Sequence, residues 1–397
     1  MKKIKKIALV STYVDDADGK ILDDSFMEEF ICNDDHFFHR IAKSLMMQNL
    51  EPVVILPSTV KETKIFQHKY GHSIIRIHAN VIPFLHEPIV FSPKLVKIIQ
   101  EFDICHFVSG YYVMYKIPDL FDYCVSKIHG KLPIIVRWAG GNYKWLFPIR
   151  KEIKKNSLHK CDKIICSGKN EIKVLEEKFK IPEENIEFLI NPIDLSKFKN
   201  REKIEICKKL DYDPKLEYIL FVGRLIESKG VKNILKAFYE VLKIKKNTKL
   251  IFIGNGPLEL EIKEFIRKNN FQKEIEVKKH MSHDEICYYY NISSVLINTG
   301  KSGGLANIIV EAIASELPVI VTNVGASKDF INEKLGTGIV IDSDNVENLE
   351  SAILRILNGE KFANGFNKEK LKQFSFENFG KQSIKIYKDA TKHFQKK

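Results

Sequence analysis

Arg224 and Lys229 stand in a context that suits a charged leaving group: Phe221-Val222-Gly223-Arg224-Leu225 is followed by Ser228-Lys229-Gly230. A glycine at the end of an apolar strand lets the backbone approach a ligand, and the two cations would neutralise charge developing on a pyrophosphate as a bond to it breaks. A surface arginine and lysine flanking a loop would look the same. Gly254-Asn255-Gly256-Pro257 ends the next apolar run, where the glycines permit tight backbone against a ligand or simply make a strand-to-helix turn. The longest stretch of this kind is Asn298-Thr299-Gly300-Lys301-Ser302-Gly303-Gly304-Leu305-Ala306-Asn307, which opens an apolar helix containing Glu311. Such a loop presents free N–H groups and the positive end of a helix dipole, the elements of a phosphate site. Glu311 lies one turn in, where a buried carboxylate needs hydrogen-bond donors; sugar hydroxyls or protein N–H groups would serve.

The 397 residues exceed one ordinary core, and 44% hydrophobic with 29% charged residues argues for two globular domains rather than disorder. The net charge of +12 comes mostly from lysine. One cluster, Arg150, Lys151, Lys154, Lys155, His159, Lys160 and Lys163, lies on an expected helix beside Trp145, Leu146 and Phe147. It suits peripheral contact with an anionic membrane surface, or a solvated helix face. The basic residues are not interleaved with stacking aromatics, which argues against nucleic acid. Seven cysteines occur without a C-x-x-C pair or zinc-ligand spacing, as expected of thiols in a reducing cytoplasm. The charged start is followed by too short an apolar run for a signal peptide, and no stretch is long enough to span a membrane.

Short apolar runs alternate with helical patterns, the signature of parallel βαβ units. Strands are expected at 6–12, 52–56, 74–78, 104–108, 133–138, 163–167 and 186–190, then at 218–222, 249–253, 275–278, 294–298, 318–322 and 338–341. These give an α/β fold of two doubly wound parallel-sheet domains facing an interdomain cleft, at 1–195 and 215–374. The polar, lysine-rich stretch 196–214 reads as a linker, and 375–397 as a final basic, amphipathic helix. His36 and His39 begin a helix that would face the cleft, as would His106; packing or exposure is the simpler account of each taken singly.

In the residues now quoted, the chain resembles the retaining glycosyltransferases of family 4, which have the GT-B fold of two Rossmann-like domains. The matches are ordered: Asp103-Ile104-Cys105-His106, Asn191-Pro192-Ile193-Asp194 with Phe198, Val222-Gly223-Arg224-Leu225 with Lys229-Gly230, Gly254-Asn255-Gly256-Pro257, and Glu311-Ala312 with Leu317-Pro318-Val319-Ile320. Phe374-Ser375-Phe376 and Tyr387 resemble the family's last helix, which crosses back to the first domain. The pattern departs at Gly303, where a first glutamate is usual, and at Arg137-Trp138-Ala139-Gly140-Gly141-Asn142, where a strand-end histidine is usual. Asp15, Asp16 and an acidic insertion reaching Asp35 replace the usual glycine pair after the first strand.

The resemblance implies transfer of a sugar from a nucleoside diphosphate donor, UDP- or GDP-linked, to a hydroxyl of a glycan or lipid-linked acceptor, in the cytoplasm or on the cytoplasmic face of the membrane. It assigns Arg224 and Lys229 to the pyrophosphate and Glu311 to the ribose. Gly223, Gly256 and the backbone of Gly303, Gly304, Leu305, Ala306 and Asn307 would meet the donor, with the base against 279–282 around Met281. His36, His39, His106 and Asn142 are the acceptor-side candidates. No metal and no cofactor beyond the donor are implied, since the two cations would replace a divalent ion. A nucleotide-sugar epimerase and a non-catalytic nucleotide-sugar-binding protein are the alternatives.

Overall fold

The computed structural model describes residues 4–14, 21–82, 89–108, 119–138, 148–300, 306–324, 326–331, 333, 337–342, 345–360 and 371–396, the side chains of 148–150 excepted. The chain divides into two units, Met1–Pro192 with Phe374–Lys397, and Ile193–Gln373.

The first unit is built on a sheet in the order Ile186–Phe188, Lys163–Cys166, Ile134–Trp138, Ile104–Phe107, Lys6–Val10, Glu51–Ser58, Ser73–His78 and Lys64–Gln67. All neighbours are parallel except the last pair. Its inner strands are apolar on both faces because helices cover both: Ala8 and Val10 enter one core cluster, Ile7 and Leu9 the other. The final helix Phe376–Lys396 belongs to this unit and packs on helix Phe37–Met46. Gly380 makes the approach possible, since a Cβ there would lie 2.3 Å from the Ser44 carbonyl oxygen.

The second unit carries six parallel strands in the order Ile275–Lys278, Thr248–Ile253, Glu217–Val222, Val295–Asn298, Val319–Thr322 and Gly338–Ile341. The chain winds outward from Glu217–Val222 in one direction, then returns to its other side at Val295–Asn298. That reversal is the switch point at whose carboxyl ends doubly wound sheets take ligands.

Several expectations are corrected. The stretch 196–214 is part of the second unit and holds helix Lys203–Leu210, whose Ile206 and Cys207 are buried; its polarity is that of a short helix with one inward stripe. The acidic insertion contains helix Asp24–Cys32, capped by the Asp23 carboxylate, which accepts the Phe26 N–H at 2.9 Å. Strand Lys64–Gln67 and the ribbon of Asn80–Ile82 with Ile89–Phe91 break the all-parallel expectation. Nor is the basic cluster a continuous surface. Lys154 is 1% exposed and bound to Asp119 at 2.6 Å and to Asp122, while Lys163 is paired with Glu187 at 2.7 Å. Among the described residues no helix is long and apolar enough to cross a membrane.

Candidate functional site

Beside the switch point, two strand-to-helix turns of the second unit, after Glu217–Val222 and Thr248–Ile253, are pressed together. Gly223 ends Glu217–Val222 at φ +145° and Gly254 ends Thr248–Ile253 at φ +146°, conformations that disfavour any side chain. A Cβ on Gly254 would lie 2.0 Å from the Gly223 carbonyl oxygen, and one on Gly256 2.4 Å from that of Leu225. The turns are laced by Gly223 N–H to Ile253 O at 3.0 Å, Leu225 N–H to Asn255 O at 2.9 Å and Leu258 N–H to Leu225 O at 3.0 Å. Gly254 and Gly256 are therefore required by backbone packing.

Beyond Gly223 the chain runs through a 3₁₀ turn, Glu227–Lys229, to Gly230 at φ +74°, which opens helix Val231–Ile244. Thr299, at the end of Val295–Asn298, donates its hydroxyl to the Lys229 carbonyl at 3.1 Å, fixing this turn across the switch point. The Lys229 side chain reaches back over Gly300: its Nζ is 3.8 Å from where a Gly300 Cβ would stand. Burial lowers the Lys229 pKa, and the charge of exposed Arg224 lowers it further. Neither cation is paired with a carboxylate among the described residues. A half-buried ammonium next to a guanidinium is a place where an anion is stabilised twice over.

Past Gly300 lies helix Asn307–Ala314, whose first residues have no side-chain cap from Ala306. Its amide hydrogens point toward the start of the helix, as a phosphate site requires. Glu311 is 2% exposed. It accepts the Tyr290 hydroxyl at 2.9 Å, and its other oxygen is 3.5 Å from His283 Nε2. Phe198 stands edge-on to both rings, at 5.0 Å from His283 and 5.7 Å from Tyr290, and so packs against both neighbours of the carboxylate. Burial and the adjacent carboxylate both raise the Tyr290 pKa, which keeps the phenol a donor. Part of Glu311's hydrogen bonding is thus supplied by the protein. Tyr290, His283 and Thr299 contact the candidate residues Glu311 and Lys229 without being singled out by spacing alone; for Tyr290 the aromatic run Tyr288-Tyr289-Tyr290 is the available signal.

The segment 279–282 leads from strand Ile275–Lys278 to helix His283–Ile292 and is held by His280 N–H to Asn255 Oδ1 at 3.4 Å. Met281 is half-buried there. Gly303, Gly304 and Leu305 lie outside the described residues, as does Asn142.

The acceptor-side histidines of the first unit are corrected. His106 is 0% exposed, its Nδ1 3.0 Å from the Tyr387 hydroxyl of the final helix. His39 is also 0% exposed, with Nε2 3.0 Å from the Phe30 carbonyl. His36 caps helix Phe37–Met46, its Nδ1 accepting the Phe38 N–H at 3.4 Å. The first two are packed inside the unit and offer no surface to an acceptor.

Residues 36–197 match Glycosyltransferase Family 4, and residues 202–373 match Glycosyl transferases group 1. Alpha-monoglucosyldiacylglycerol synthase of Streptococcus pneumoniae is 27% identical over 260 residues, covering 62% of this chain and 56% of that protein. The chain spans 56%, 60% and 56% of the length of three such relatives. Sucrose-phosphate synthase from Thermosynechococcus elongatus is similar in structure with a TM-score of 0.72 at 15% identity, over 97% of this chain and 98% of that one. HepE from Anabaena in complex with UDP gives 0.70 at 11% identity, over 96% and 98%. Both likenesses concern the fold, which is GT-B, with two Rossmann-like domains.

Proposed function

The chain belongs to the family 4 glycosyltransferases, and from that premise we propose that its second unit binds a nucleoside diphosphate sugar and gives up the sugar, with retention, to a hydroxyl acceptor. The observation that carries this reading is the Lys229 ammonium, half-buried beside Arg224 with no carboxylate partner among the described residues, held over Gly300 at the approach to the Asn307–Ala314 helix. An ammonium alone in that position is costly; a diphosphate offsets the cost and is stabilised in turn.

As the bond between the sugar and the distal phosphate breaks, charge accumulates on the departing oxygen. Lys229, Arg224 and the helix amides are then worth more than in the ground state, and that difference is catalysis. The two cations do the work a divalent ion would do, so the donor needs no metal. Glu311, oriented by Tyr290 and His283, takes the ribose hydroxyls. The base lies along 279–282. HepE, a neighbour in fold, was crystallised with UDP, which favours a uridine donor. A relative named for making a glucosylated diacylglycerol favours a lipid-linked or cell-envelope acceptor. The reaction would take place in the cytoplasm, at the membrane face where such acceptors lie.

Release of nucleoside diphosphate from UDP-glucose and GDP-mannose, with and without a lipid acceptor, tests the proposal. Arg224→Ala and Lys229→Ala should each lower turnover by about 10²–10³, the usual effect of removing one group that stabilises developing charge. Equal turnover in both variants and the unaltered chain would remove the diphosphate from this position.

A further inference from the structure

The first unit holds a second constellation, unused by the donor site. Helix Phe37–Met46 places His39 in its first turn, fully buried. Next to it, the hairpin joining Lys64–Gln67 to Ser73–His78 turns through residues 68–72, closed by His68 N–H to His72 O at 3.0 Å and Gly71 N–H to His68 O at 2.8 Å. Gly71 takes φ +97°, which this tight turn needs. His68 and His72, each 2% exposed, are thereby set against His39, and one nitrogen from each of the three lies within 4.8 Å of the other two. Asp34, on the segment before the helix, brings Oδ1 to 3.4 Å from His68 Nε2.

Three buried imidazoles are a costly way to fill a core unless their nitrogens are satisfied. His39 is partly so. Its Nε2 faces the Phe30 carbonyl at 3.0 Å and must carry the proton there, which leaves the Nδ1 lone pair directed at His72 Nε2, 2.9 Å away. Elsewhere in the cluster, His68 Nε2, His72 Nδ1 and Asp34 Oδ1 are each buried without a hydrogen-bond partner among the described residues. Two of these orphans, a ring nitrogen and a carboxylate oxygen, face one another.

We propose that His39, His68 and His72, with Asp34 as fourth ligand, form a site for a borderline divalent transition metal such as Zn²⁺. Three imidazole nitrogens and one carboxylate oxygen are an ordinary tetrahedral set for that ion. The His39 bond to the Phe30 carbonyl is the outer contact that orients a metal-binding imidazole. Zinc–nitrogen bonds of about 2.0–2.1 Å hold tetrahedral nitrogens roughly 3.3 Å apart, so the His39–His72 pair has only to open slightly. His68 has further to move. Its ring is stacked on that of His39, with centroids 4.1 Å apart and planes at 20°, and its Nδ1 accepts the Tyr70 N–H at 3.1 Å. Binding through Nε2 transfers the ring proton to Nδ1, releases the Tyr70 amide and fans the ring toward its partners. Asp34 exchanges its ion pair with Lys69, on the same turn, for the metal. The ion would tie the sheet's antiparallel edge hairpin to the helix on which the final helix packs.

The untagged full chain, stripped with a chelator and dialysed against Zn²⁺, should retain one zinc per chain by mass spectrometry and melt at a higher temperature than the stripped protein. Co²⁺ in its place should give the intense visible bands of tetrahedral coordination. His72→Asn should weaken Zn²⁺ affinity by at least about 100-fold, and Asp34→Asn by about tenfold, with circular dichroism unchanged. The proposal is overturned if the unaltered chain retains no zinc above the dialysis blank. It is equally overturned if His72→Asn, folded, retains as much as the parent.

Discussion

The Tyr290 hydroxyl donates to Glu311 Oε2 at 2.9 Å inside the second unit, where the tyrosine is 1% exposed and the glutamate 2%. The bond joins helix His283–Ile292 to helix Asn307–Ala314. Tyr290→Phe removes one hydrogen-bond donor to a buried carboxylate, a loss that costs about 1–3 kcal/mol. Urea denaturation should show that loss. Because Glu311 also loses its orientation, the donor KM should rise more than kcat falls; an unchanged KM would separate Glu311 from the donor.

Gly254→Ala tests whether the Gly254-x-Gly256 motif is needed by the backbone. An alanine Cβ would stand 2.0 Å from the Gly223 carbonyl oxygen at a φ of +146°. Displacement of one strand-end turn from the other should cost at least about 2 kcal/mol. A denaturation midpoint equal to the parent's would refute the close approach.

Lys154 is shared by Asp119, at 2.6 Å, and Asp122, whose other oxygen accepts the Ser157 hydroxyl at 2.6 Å. Burial raises the Asp119 pKa to about 7 even against the pull of Lys154. Lys154→Met strands two buried carboxylates and should lose about 3–5 kcal/mol at neutral pH. The deficit should shrink as pH falls from 7 toward 5, since a carboxyl whose folded pKa is raised is taken up protonated by the native state. A deficit independent of pH would point to lost packing alone.

His106 gives the first unit an acid limit. Burial, assisted by Arg137, lowers its pKa to about 3, so the native state holds it neutral while the unfolded chain protonates it near 6.5. Its contribution is complete above pH 6.5 and diminishes by about 1.4 kcal/mol per unit as pH falls toward 3. His106→Gln keeps a hydrogen-bonding partner for Tyr387 but does not titrate. Its stability should therefore fall less steeply through that interval, as read from denaturation series at several pH values.

In the second unit the six expected strands appear with ends shifted by at most one residue; four of them are short apolar runs closed by a glycine, asparagine or threonine. The first unit was harder. Lys64–Gln67 and the ribbon after Ser73–His78 are short and partly polar, with no periodicity to mark them. That omission hides the His68-Lys69-Tyr70-Gly71-His72 spacing as well: outside a helix, two histidines four apart converge when a hairpin turn lies between them, and the turn is not legible without its strands. The residue type of His39 and His106 suggests chemistry, whereas tertiary packing puts both inside the unit. For the candidate site, strand ends and glycines point to Arg224, Lys229 and Glu311 on one unit, but Tyr290 reaches Glu311 only through the packing of two helices.

Since helix Phe376–Lys396 completes the unit that begins with Lys6–Val10, the second unit is an insertion in the first. On the ribosome, everything through Gln373 emerges before the helix that supplies Phe379, Ile386 and Tyr387 to the older unit's interior. The later-encoded half is contiguous and is free to close first, while the N-terminal half must wait with an apolar face uncovered. The order of synthesis is therefore the reverse of the order of completion, and the interval between them is when this chain is most exposed to aggregation.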